Sequence, residues 1–207
     1  MLFIELLVPP GRYTTEQCGE LAAGLTASRV LTSDEETAAA TDPGVLDLYE
    51  SLTDVVVREP VAWTGAGRPV NADGPARFLV TLHVGAWAKE TAAHLIASVT
   101  RRITEFARGH GDAAPHVRVQ VRGVPDGMYG LDGRVVTSSD FGDMIAEAKT
   151  RTDTEAPEGM LVDPTCGALV TIEEAVTLER DGVTYGFCCP GCRGRYARRL
   201  DRAGDTG

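Results

Sequence analysis

RFLVTLHVGAWAKETAAHLIASVTRRITEFARGHGDAAPHVRVQV, residues 77–121, decides the fold. Its opening, Arg77 to Val84, is rich in branched and aromatic side chains and reads as a strand. Ala92, Leu95, Ile96, Val99, Ile103 and Phe106 then recur on one stripe at helical spacing, and Val117 to Val121 reads as a second strand. Two strands joined through a helix pair in parallel, and sterics make the crossover right-handed.

The same pattern precedes this stretch. Phe3 to Val8 reads as a fully buried strand. A Pro-Pro-Gly turn leads into a helix from Thr14, capped by Thr14 or Thr15, with Cys18, Leu21, Ala22 and Leu25 at spacings of three and four. Cys18 thus stands on the core face as a small hydrophobe. Val55-Val56-Val57 is the next buried strand, reached through an acidic, Ala-rich insertion with a short helix around Leu46 to Leu52. Two βαβ units predict an α+β domain over residues 1–140, a four-stranded sheet with two helices on one face. The opposite face, expected to be apolar, then needs cover from the insertion or from partner subunits.

The last fifth of the chain has another character. Cys166 is followed after twenty-one residues by Cys188 and after three more by Cys192, in DPTCGALVTIEEAVTLERDGVTYGFCCPGC, residues 163–192. Asp181-Gly182 between two strand-like runs predicts a hairpin with a type I′ turn, folding Val183–Phe187 back along Ala175–Arg180. Cys188 then stands at a strand end, with Cys192 one helical turn later on the same face. Backbone N–H groups and the helix dipole favour thiolate at such a junction. His83, His94, His110 and His116 all precede the segment, so the ligands would be sulfur, completed by Cys189, Asp163 or an exogenous donor. Soft sulfur sites select Zn(II), Cu(I) or another thiophilic ion. The competing account is a disulfide with a spare thiol, or inert core cysteines. A free Cys18 and the lack of a signal peptide argue instead for a reducing compartment, and the expected location is the cytoplasm.

Residues 161–200 resemble the YHS domain, a small treble-clef-like metal-binding module related to the TRASH domains of heavy-metal trafficking and sensing proteins. Asp163-Pro164-Thr165-Cys166-Gly167, the Asp181-Gly182 turn, Tyr185-Gly186-Phe187-Cys188 and Gly191-Cys192 carry the resemblance. Ala168 stands where that family usually has methionine, and Val176-Thr177-Leu178 replaces the Tyr-His-Ser triplet that names it.

Residues 2–140 resemble the tautomerase superfamily, which includes 4-oxalocrotonate tautomerase and macrophage migration inhibitory factor. VRVQVRGVPDGMYGLDGRVV looks like the family's last strand and closing hairpin, and FIELLVPPGRYTTEQ like its opening strand, Gly-Arg turn and helix cap. The resemblance implies assembly as trimers or hexamers of βαβ units, hence a homotrimer here. It also implies a catalytic amino-terminal proline, and Leu2 occupies that place. A Met1 amine, with a reference pKa of about 7.7 to 8, would be one residue out of register. Arg12 matches the family arginine that holds a substrate carboxylate in some members, and an ion pair with a surface acid is the plainer alternative.

The 207 residues, 43% hydrophobic, suit one medium domain and one small module, here residues 160–203, joined by a linker at 141–159. Linker residues FGDMIAEAKTRTDTEAPEG begin with helix-compatible sequence and end in tether-like composition. Neither a membrane span nor an obvious nucleic-acid footprint is present. The net charge is −10, and Arg193, Arg195, Arg198, Arg199 and Arg202 on the final helix read as a solvated face with cations near its C-terminus. The leading expectation is a metal-binding accessory or sensing protein on a tautomerase-like scaffold lacking proline-dependent activity. The competing class is a small-molecule tautomerase-like or hydrolytic enzyme with a structural metal module, and a third is nucleic-acid contact through the arginine-rich helix.

Overall fold

The computed structural model describes residues 1–31, 39–85 and 88–204; the start of the insertion, 32–38, and the Arg202 side chain lie outside them. The chain forms two compact units, Met1–Ser33 with Tyr49–Gly130, and Asp34–Leu48 with Leu131–Gly207.

The first unit is built on strands β1 (Leu2–Leu7), β2 (Thr53–Arg58), β5 (Arg77–Val84) and β6 (His116–Gly123), in spatial order β2-β1-β5-β6. β1 pairs in parallel with β2, β5 in parallel with β6, and the two βαβ halves meet where β1 runs antiparallel to β5. Helix α1 (Thr15–Ala23) is entered through a capping box in which Thr14 and Gln17 satisfy each other's backbone N–H. Leu21 and Leu25 from this half join Leu95, Val99, Ile103 and Ala107 of helix α4 (Ala88–Gly109) over Ile4, Leu6, Phe78, Val80 and Leu82, so both helices lie on one face. Short helices α2 (Ala27–Leu31) and α3 (Pro43–Ser51) lie between the halves.

Two details differ from the sequence reading. Ile96 is exposed, because it sits about 100° around the helix from Leu95 and the buried stripe runs 95, 99, 103, 107 instead. β1 is buried on alternate residues only, and the open face of the sheet is mixed rather than apolar. Phe3, Leu7 and Leu79 share it with Glu5, Arg58 and His83, where Glu5 faces Arg58 at 3.4 Å and His83 at 3.5 Å, and with the exposed Arg118, Gln120 and Arg122.

The second unit carries the cysteines. After two short hairpins earlier in the chain, β3 (Thr64–Gly65) with β4 (Arg68–Pro69) and β7 (Tyr129–Leu131) with β8 (Arg134–Val136), strand β9 (Met160–Val162) pairs antiparallel with β10 (Leu169–Thr171), and β11 (Val176–Arg180) with β12 (Val183–Phe187), followed by helix α6 (Pro190–Gly204). Positive φ at Asp181 (53°) and Gly182 (77°) gives the expected type I′ turn. Residues 141–159 are not a free tether. Helix α5 (Ser138–Ala148) buries Phe141 and Ile145, and Lys149 donates to the Pro164 carbonyl. The buried carboxylate of Asp42, from the insertion, accepts from the backbone N–H groups of Thr150 and Arg151 as well as Gly44 and Val45. Those donors hold Asp42 below the usual carboxylate range against the opposing effect of burial.

Candidate metal centre

Two chain reversals bring the cysteines together. The first is the loop from Asp163 to Ala168 between β9 and β10. It is closed by the Asp163 N–H donating to the Ala168 carbonyl at 2.8 Å and the Gly167 N–H donating to the Asp163 carbonyl at 2.8 Å. Gly167 has φ +74°, and a Cβ there would meet the Asp42 side chain at 2.7 Å, so glycine is required on both counts. Cys166 projects from this loop. The second reversal is the passage from β12 into α6, which places Cys188 at the strand end and Cys192 in the first helical turn.

The Cys166 and Cys188 sulfurs are 3.7 Å apart, as are those of Cys188 and Cys192. With an oxygen of Asp163 they form a four-residue group whose ligand atoms all lie within 4.8 Å of one another. Three thiolates on a tetrahedral ion at about 2.3 Å would stand about 3.8 Å apart, so the spacing fits a sulfur-bound metal. Cys166 is pulled well below the ordinary thiol range, chiefly because Cys188 and then Cys192 hydrogen-bond to it. Cys188 and Cys192 are pushed up by facing Cys166. One negative sulfur therefore opposes the next, an opposition that a bound cation removes. All five cysteines are free thiols.

Asp163 and Cys189, the two candidates for a fourth ligand, are both engaged locally. Asp163 is fully buried; one oxygen accepts from the N–H groups of Thr165 (2.7 Å) and Cys166 (3.3 Å), the other from Cys188 N–H (2.9 Å). It thereby ties the two cysteine-bearing reversals to each other. Burial pushes its pKa up, with Cys166 adding to the effect. The Cys189 sulfur accepts from the Cys192 N–H at 3.5 Å, in the position of a helix cap before Pro190, and stands outside the four-residue group. The Asp163-Pro164 turn was legible from sequence, whereas its bond to Cys188 was not. Asp42 had no sequence signal beyond one acid among several.

The residues singled out for the enzyme alternative lie in the sheet unit. Arg12 binds both oxygens of Asp112 and donates to the carbonyls of Ala72 and Gly74, so each nitrogen of its guanidinium is engaged within the unit. Tyr13 donates to the same carboxylate at 2.9 Å, and burial together with Asp112 pushes its hydroxyl up to about 12. The Met1 amine is pushed down to about 5 by desolvation. On α6, Asp201 pairs with Arg180 at the end of β11 at 2.6 Å, and Arg199 stacks over Tyr196 at 5.0 Å. Among the described residues no helix is long and apolar enough to cross a membrane.

Residues 164–206 match the family model described as a C-terminal TRASH domain. No curated protein matches the chain. Among solved structures it is similar to a fused 4-OT wild-type asymmetric trimer, F6, at 19% identity and a TM-score of 0.48, covering 68% of this chain and 98% of that one. It is also similar to Pt0534 inactivated by 2-oxo-3-pentynoate (16% identity, TM-score 0.47, 68% and 99% covered). A third is native RhCC from Rhodococcus jostii RHA1 (14%, 0.44, 72% and 99%).

Proposed function

We propose that this protein holds one thiophilic ion, Zn(II) or Cu(I), through Cys166, Cys188 and Cys192 of a module spanning residues 160–203, and acts in the cytoplasm as a metal-handling accessory or sensing protein. The observation that carries this reading is the pair of 3.7 Å sulfur separations, the spacing that a tetrahedral ion imposes. A thiophilic ion would supply charge neutralisation for three thiolates. This chain supplies the sulfurs and, through Asp163, their orientation. Because Asp163 and Cys189 are engaged with backbone N–H groups, an exogenous donor completes the set, and an exchangeable position suits handling or sensing better than a closed structural staple.

Native mass spectrometry with elemental analysis of protein purified without oxygen tests this. One ion per chain is expected, falling well below one in Cys188→Ser and unchanged in Cys18→Ala; full stoichiometry in Cys188→Ser overturns the assignment. The same spectrum reads the assembly. A homotrimer through the sheet unit would cover the half-exposed Phe3, Leu7 and Leu79 and shield the Glu5 pairs.

One observation favours the enzyme alternative: desolvation pushes the Met1 amine down to about 5, which leaves it unprotonated at neutral pH, free to accept a proton but a weak base. Arg12 contributes nothing to such a site while Asp112 holds it. Arylpyruvate tautomerisation should be absent or very slow in the wild type. Robust turnover there would replace the accessory reading with the enzymatic one, and turnover appearing only in Leu2→Pro would show that a proline was the missing part.

A further inference from the structure

The sheet unit contains a cavity of about 420 Å³ at the end of the sheet opposite Met1, where Leu7 is paired with Leu79. Its walls are the hairpin β3–β4 (Thr64–Gly65 and Arg68–Pro69) and the loop that follows. The volume lies within the range of about 300 to 1,000 Å³ typical of small-molecule sites. Arg68, Arg77 and Asn71 line it beside Val70, Pro69 and Pro75, and no carboxylate does. In a chain of net charge −10, two arginines facing one space without an acid are out of keeping with their surroundings. Among the described residues neither guanidinium has an ion-pair or hydrogen-bond partner.

The cavity is also held open. A Cβ on Gly65 would fall 3.0 Å from the Arg77 guanidinium, so glycine at 65 is what lets that group lie against the hairpin backbone. The opposite wall is fixed by Arg12, which donates to the Ala72 and Gly74 carbonyls while anchored on Asp112, and by Gly74 N–H donating to Asn71 Oδ1 at 3.2 Å. Arginine pairs with carboxylate and phosphate oxygens through the same planar fork of donors. We propose that this cavity binds a small organic anion, with Arg68 and Arg77 holding its charged group and Val70 and Pro75 contacting its apolar part. The Arg12–Asp112 pair then serves to position the wall of this site.

Isothermal titration of the full chain in low-salt buffer at neutral pH tests the proposal, with succinate, inorganic phosphate and the uncharged succinamide as probes. One of the two anions should bind at one site per chain and succinamide should not; which anion binds identifies the headgroup as carboxylate or phosphate. Arg77→Gln and Arg68→Gln should each weaken binding roughly tenfold or more. Gly65→Ala, by displacing Arg77, should weaken it too. Arg118→Gln, on the exposed sheet face, should leave it unchanged. Arg68 is itself exposed, so its variant keeps the fold and reads recognition alone. If neither anion binds, or if Arg68→Gln and a folded Arg77→Gln bind as the wild type does, the proposal is overturned.

Discussion

The two units hold themselves together by different means. In the sheet unit Ile4, Leu6, Leu25, Phe78, Leu82, Leu95, Val99 and Ile103 have no exposed surface at all, and apolar burial at about 25 cal/mol per Å² accounts for the fold. The cysteine unit has a thinner apolar interior, drawn from Val45, Phe141, Ile145, Val162, Val170, Phe187 and Tyr196. It has instead two fully buried carboxylates, Asp42 and Asp163, each surrounded by backbone N–H donors. Burying a charge is costly unless it is hydrogen-bonded, so these two acids are placed where several loose loop amides converge on one point. Where a side-chain core is scarce, directional bonds to a buried anion do the organising, and the proposed ion would complete it.

The contrast is broken most forcefully by taking the metal away. A thiol-competing chelator at pH 7 should remove on the order of 10 kcal/mol from the cysteine unit and unfold it, leaving amide exchange in β1 and β5 as slow as before. Loss of protection in both units together would mean that the distinction drawn here is false. Phe78→Ala is the converse perturbation and should cost the sheet unit about 3 to 5 kcal/mol in a denaturant melt, with metal stoichiometry unchanged. Asp42→Ala should follow at about 2 to 3 kcal/mol, confined to the cysteine unit, because several backbone donors lose a charged acceptor. The sign with pH is fixed by the depressed pKa of Asp42. Its contribution is present above the ordinary carboxylate pKa and is lost as pH falls through the folded value, so the destabilisation in Asp42→Ala should shrink in acid. The smallest effects sharpen the comparison. Thr14→Ala and Thr137→Ala remove like capping boxes from the two units and should each cost about 1 kcal/mol, in its own unit only.

What the sequence disclosed follows the range over which its signals act. The strands, the stripe from Leu95 to Ile103, the Thr14 cap and the Asp181-Gly182 turn are local patterns, and all appear in the structure. The cysteine spacing is local apart from the step of twenty-one residues between Cys166 and Cys188, which the hairpin closes. The polar face of the sheet is written in the alternation of Val117-Arg118-Val119-Gln120-Val121-Arg122, where every second residue is polar, and the expectation of an apolar open face leaves that alternation out. An acid partner for Arg12 is among the expectations, but which acid it is, and the role of Asp42, are not legible, because the partners are remote. Arg12 meets Asp112 across 100 residues and Asp42 meets Arg151 across 109, and nothing in the neighbourhood of a single aspartate announces which distant amide or guanidinium it will meet.

Asp42 also sets a timetable. A ribosome adding about 5 to 20 residues per second exposes Asp42 roughly 5 to 20 s before Thr150 and Arg151 exist to receive it. Through that interval the nascent chain carries an aspartate with only its local partners, Gly44 and Val45, in place, and the cysteine unit cannot be assembled in the order in which it is synthesised. A fragment cut at the boundaries of the cysteine motif, such as residues 160–203, would begin after both Asp42 and the segment whose N–H groups donate to it. It would therefore report on a looser object than the one the intact chain forms.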